Sequence, residues 1–185
     1  MNSPAEASEY SRASKKEIFS WAMFDFANSG YTTVVLTAVF NTYFVGVVAK
    51  NLESGSATLL WTISIAIANS LVLFSAPLIG AISDFSRNKK RFLFVATSAC
   101  VITTSLLFFA HENEIILSMI LVILSSYMFF TGENLISAFL PEISTPQNIG
   151  KISGYAWTLG YVGGLLVLVL CLAYINWAKS QGMEA

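Results

Sequence analysis

The sequence predicts an all-α membrane protein with five transmembrane helices. Three observations carry that reading. Of its 185 residues, 55% are hydrophobic and only 11% charged, where a soluble domain carries about 25% charge. The apolar residues gather in five runs, about 19–48, 59–82, 92–110, 115–140 and 152–175, each meeting or approaching the ~20 residues of a spanning helix. The period-two alternation of a membrane β-barrel is absent from them.

Residues 1–18, "MNSPAEASEYSRASKKEI", are polar and mixed in charge. They hold no apolar core of the kind a cleavable signal needs, and read as a cytosolic arm. Short polar connections separate the five runs, so successive helices must run antiparallel. The cations then sort to two sides. Arg12, Lys15, Lys16, Arg87, Lys89, Lys90, Arg91 and Lys151 fall on one, and Lys50 and Lys179 on the other. The positive-inside rule places the first group in the cytoplasm, with the amino terminus, and leaves 176–185 as an outside tail. The expected location is a bacterial inner (plasma) membrane, with the lipid bilayer as the first partner.

Net charge is −1, which gives no reason to expect a nucleic-acid partner. Cys100 and Cys171 sit in apolar runs without a His or Cys at ligand spacing, so they read as packing residues, and no metal or cofactor is expected. His111 is a lone loop residue. There is no Ser/His/Asp set, no HExxH and no phosphate loop, hence no catalytic residue and no enzyme.

The polar residues inside the runs are the candidates for function. Asp25 lies about six residues in from Phe19, some ~9 Å at 1.5 Å per residue. Glu133 lies at a similar depth in the fourth run. A charge at the centre of a bilayer costs roughly 2.5–3.5 kcal/mol on insertion scales, so an intramembrane acid is a functional candidate by default. Asp25, Asn28, Ser29 and Thr32 share one helix face at i, i+3, i+4, i+7, and Glu133 shares one with Ser137. No Lys or Arg lies in the runs. The two carboxyls therefore hold protons or await a cation, which could be a proton, a metal ion or a substrate ammonium.

The fifth run reads "ISGYAWTLGYVGGLL". Gly160 and Gly164 have small-xxx-small spacing, with Gly163 beside them and Gly154 upstream. Such residues let another helix come close. Between the second and third runs, "PLIGAISDFSRNKKR" places Pro77 and Gly80 where they would loosen a helix end, and Asp84 at the membrane surface before Lys89 and Lys90. That pattern suits a cytoplasmic latch in which the acid caps a neighbouring helix.

These segments together resemble the amino-terminal half of a major facilitator superfamily transporter. In "GAISDFSRNKKR", Gly80, Asp84, Lys89 and Lys90 match the superfamily's signature loop, while Phe85 stands where a basic residue is common and Arg87 where glycine is common. The finer resemblance is to unknown major facilitator family one, the autophagy-related vacuolar amino-acid effluxer-like branch. "SWAMFDFANSGYTTVVLTAVFNTYF", "AFLPEISTPQNIGKISG" and "WTLGYVGGLL" carry it. The resemblance implies five of the six helices of the fold's amino-terminal bundle, and a secondary transporter of a small solute, amino acids among the candidates. It also implies alternating access, with the first and fourth helices lining the cavity and a proton as a candidate coupling ion. No sixth helix and no second half are present, so the chain is expected to be a fragment or to need a second chain supplying the missing helices. The alternatives are a non-functional truncated fragment and a membrane scaffold or assembly subunit that binds its partner through the glycine face of the fifth helix.

Overall fold

A computed structural model of the chain describes residues 13–53 and 55–182. Residues 1–12 of the expected arm, Arg12 among them, and 183–185 of the expected tail lie outside the described residues. Among the described residues there is no strand. Five helical stretches are long and apolar enough to cross a membrane. We number them α1 (Lys15–Val48), α2 (Ser56–Phe85), α3 (Lys89–Phe109), α4 (Ile115–Ser137) and α5 (Ile149–Ser180).

Local chemistry sets the ends. α1 starts with a capping box: the Glu17 N–H donates to Ser14 Oγ at 3.2 Å, and the Ser14 N–H donates to Glu17 Oε2 at 2.7 Å. Two orphan donors of the first turn are thereby satisfied. α1 is wound more loosely over Thr32–Ala38 and again over Phe44–Val48. There, backbone N–H groups reach five residues back, as from Val39 to Val34 and from Ala49 to Phe44. The β-branched run Thr32, Thr33, Val34, Val35 is stiff at χ1 and crowds an α-turn. α2 begins at Ser56, after Gly55 in the left-handed region at φ 86°. Neither Pro77 nor Gly80 ends it. The helix runs through both to Phe85, although a proline has no N–H to give the carbonyl four residues back. Regular helix in α4 stops at Ser137, and a short helical turn at Leu140–Ile143 follows. α5 continues past Ile175 to Ser180.

The described residues fall into two compact units. One joins the chain up to Val39 with the chain from Ala138 onward, and its core is α1 packed along α5. The other is Phe40–Ser137, in which α4 packs on both α2 and α3. In α4, 44% of the most apolar window is buried, against 6% in α2, so α4 is the helix enclosed by protein. Its buried Ser118, Ser125 and Ser126 keep side chains small at the contacts. The Tyr127 hydroxyl reaches α2 and donates to Ser75 Oγ at 3.0 Å. Trp61 of α2 packs on Phe40 and Phe44.

At the carboxyl end of α1, a polar knot ties the chain to the α3–α4 connection. Lys50 Nζ pairs with Glu112 Oε2 at 2.6 Å. Asn51 Nδ2 donates to Asn113 Oδ1 at 2.9 Å, and the Asn113 N–H donates to the Val48 carbonyl at 3.0 Å. The hydrogen bond from the Lys50 ammonium holds the Glu112 carboxyl below its ordinary range. Elsewhere the helices present bare apolar surface, as at Phe74 (81% exposed) and Ile116 (75%). Patches of that kind mark contact with lipid or with further protein.

Candidate functional site

The sequence of α1 places Asp25, Ser29 and Thr33 one helical turn apart on one stripe. The structure lays that stripe on the glycines of α5. A Cβ built on Gly160 would stand 2.7 Å from Asp25 Oδ2 and 2.8 Å from Ser29 Oγ. On Gly163 it would collide with the Phe26 carbonyl oxygen and stand 2.8 Å from the carbonyl carbon. On Gly164 it would stand 2.6 Å from Thr33 Oγ1. Further along, Gly30 of α1 faces Val167 of α5. Numbers rise together on both helices, so α1 and α5 run parallel. The helices approach this closely because α5 has no side chains at these positions.

The polar groups of the stripe divide into two kinds. Ser29 Oγ donates to the Asp25 carbonyl at 2.8 Å, and Thr33 Oγ1 donates to the Ser29 carbonyl at 3.1 Å. Both hydroxyls are thus satisfied by their own helix. The half-buried Asp25 carboxylate is different: none of the described residues donates a hydrogen bond to it or forms an ion pair with it.

The other expected residues are distributed as follows. Asn28 is half-buried on α1, with bonds of its own. Thr32 points to the exposed side. Glu133 is half-buried on α4, in the other unit, and is also engaged. Gly154 is exposed, and a Cβ there would meet nothing within 4 Å. It takes no part in the contact between α5 and α1, which runs along a stripe that does not include it. In the α2–α3 connection, Lys89 Nζ pairs with Asp84 Oδ1 at 2.8 Å. The Gly80 carbonyl accepts from Ser83 Oγ, and Lys90 is exposed. Among the described residues, no group of three or more His, Cys, Asp or Glu side chains is placed to hold a metal.

The same connection shows why glycine suits the position that Arg87 occupies. The Asn88 N–H bonds the Ser83 carbonyl and the Arg87 N–H bonds the Asp84 carbonyl. These are the two bonds of a Schellman C-cap, whose turning residue is left-handed and usually glycine. That residue is Arg87, at φ 52°. Three features have no forerunner in the sequence reading: the Lys50–Glu112 knot, the loosened turns of α1, and the role of Thr33. Only Thr33 left a signal, as Ser29 plus one turn.

These features define a class: a polytopic helical membrane protein whose first and fifth long helices meet through a polar stripe and a glycine stripe. Within that class, the chain belongs to the family described as vacuole effluxer Atg22 like, which matches residues 42–151. It is also similar to the uncharacterized MFS-type transporter YxiO of Bacillus subtilis (strain 168), at 28% identity over 167 residues. That match takes in 90% of this chain, which spans 39% of the length of that relative. No solved structure matches. The chain is an integral, multi-pass membrane protein. The family match begins in the second half of α1 and ends at the start of α5, so Asp25 and the glycine stripe lie outside it.

Proposed function

We propose that the chain is part of a secondary transporter that moves a small solute across its membrane by alternating access, with the Asp25 carboxylate receiving a proton or a cationic group of the solute. One observation carries the role of Asp25: an acid within a spanning helix, set against Gly160, with no donor or cation among the described residues to offset its charge. Membership of an effluxer-like family and similarity to an MFS-type transporter favour solute movement. Amino acids are the first solute class to test. The cation distribution favours a cytoplasmic amino terminus, and Glu133, Asn28 and Ser29 are the further candidates for the solute path. The Asp84–Lys89 pair, with Gly80 and Lys90, is the candidate latch. A scaffold that binds its partner through the glycine face of α5 is less favoured, because α1 covers that face at Gly160, Gly163 and Gly164.

The test is flux in vesicles containing the full-length protein with Asp25→Asn. The expected result is loss of solute flux, or of its pH dependence, in a protein that still elutes as a single folded species. Wild-type flux with a wild-type pH response would refute the role of Asp25.

A further inference from the structure

At their amino-terminal ends α1 and α5 leave a groove of about 600 Å³. Its walls are largely apolar, from Ile18, Phe19 and Ala22 on α1 to Ile152 and Leu159 on α5. Among the described residues that line it, the charges are all of one sign. Lys15 and Lys151 line it, both exposed, and among the described residues neither is paired with a carboxylate. The nearest acid in sequence, Glu17, is turned back onto the Ser14 N–H. Lys151 Nζ stands over the Tyr155 ring, 5.9 Å from its centroid. Both helices also direct their amino-terminal ends, the positive ends of their dipoles, toward this place.

An apolar trough flanked by two cations, neither paired with a carboxylate among the described residues, fits one kind of molecule. A soluble anion would use the lysines but not the walls. A neutral lipid would use the walls but not the lysines. Both helices span, so their shared end lies at the membrane surface, where headgroups sit, and basic pockets between spanning helices suit anionic headgroups. We propose that this groove holds an anionic phospholipid, its phosphate between Lys15 and Lys151 and an acyl chain along Phe19 and Leu159. The inference does not depend on the transport reading or on which leaflet is cytoplasmic.

The experiment uses the full-length protein reconstituted with phosphatidylglycerol in excess phosphatidylcholine, with retained lipid counted by native mass spectrometry. Lys15→Gln with Lys151→Gln should weaken phosphatidylglycerol retention about 30-fold, taking ~1 kcal/mol per interfacial lysine. Thr158→Trp, which fills the groove and leaves its charge intact, should also lose the lipid. Lys16→Gln with Lys90→Gln removes the same charge outside the groove and should retain it. Equal loss in both lysine pairs would reduce the effect to diffuse surface charge and overturn the proposal. So would retention in the groove pair, or displacement of the lipid by inorganic phosphate.

Discussion

Gly163→Ala is the sharpest test of the α1–α5 contact. The added methyl has no flexible neighbour to push aside, because it meets backbone: the Phe26 carbonyl oxygen, the carbonyl carbon at 2.8 Å and Cα at 3.0 Å. Restoring ordinary contact requires the helices to part by more than about 1 Å, and even a radial gap of about 1 Å forfeits a quarter to a half of each neighbouring dispersion contact. Overpacking of this kind costs about 1–3 kcal/mol. Gly154→Ala is the internal control. It makes the same chemical change on the same helix, in open space, where replacing a helical glycine stabilises by roughly 0.5–1 kcal/mol. Thermal unfolding of the full-length protein in detergent, followed by size-exclusion of the surviving folded fraction, reads both. The expected order is Gly154→Ala at or above wild type and Gly163→Ala clearly below it. If Gly163→Ala is as stable as Gly154→Ala, α1 and α5 do not touch at Gly163 and the site geometry fails with them.

Two further outcomes follow from the connections. Arg87 holds a left-handed C-cap, a conformation that costs a non-glycine residue roughly 1–2 kcal/mol, of which glycine's extra chain entropy returns about 0.5–1 kcal/mol. Arg87→Gly should therefore slow hydrogen exchange at the Asn88 amide about two- to fivefold; Arg87→Ala should not, and an equal effect of Ala would show that charge is responsible rather than backbone. At the opposite end of α2, the depressed Glu112 carboxyl makes the knot pH-sensitive. Its folded value lies below the unfolded one, about 4.3, so its contribution is present above that pH and is lost as pH falls through the folded value. The exchange rate of the Asn113 amide in Lys50→Gln relative to wild type should exceed one at neutral pH and approach one in acid; a ratio independent of pH would remove the ion pair from the account.

The helices were legible in the sequence because a bilayer demands long apolar runs and little else. Their ends were less so. α2 starts early because a left-handed Gly55 turns the chain into it, and it passes Pro77 because one missing hydrogen bond does not outweigh the rest of a long helix. The site was legible in halves. Asp25 and Ser29 stood out as a polar stripe, and Gly160, Gly163 and Gly164 as a small-residue stripe, but a stripe says which face is special and not which neighbour meets it. The two turn out to be the two sides of one contact. Arg87 was legible as a departure from the signature loop, and its backbone shows why glycine is the habit there. Nothing in the composition marked Lys50 and Glu112 as partners; only the connections bring them together.

The contact between the stripes supports two uses, helix adhesion and solute binding, and the side chains themselves distinguish them. Adhesion is served by the glycines and by hydroxyls that return their protons to their own backbone, as Ser29 and Thr33 do. Alanine in place of either would pack nearly as well. A carboxylate adds nothing to such a contact. A charge within a spanning helix is costly, no donor among the described residues offsets this one, and it stands where Gly160 has no side chain. Packing therefore accounts for the glycines and leaves Asp25 over. On the proposed transport reading, a proton or a cationic group of the solute meets that charge.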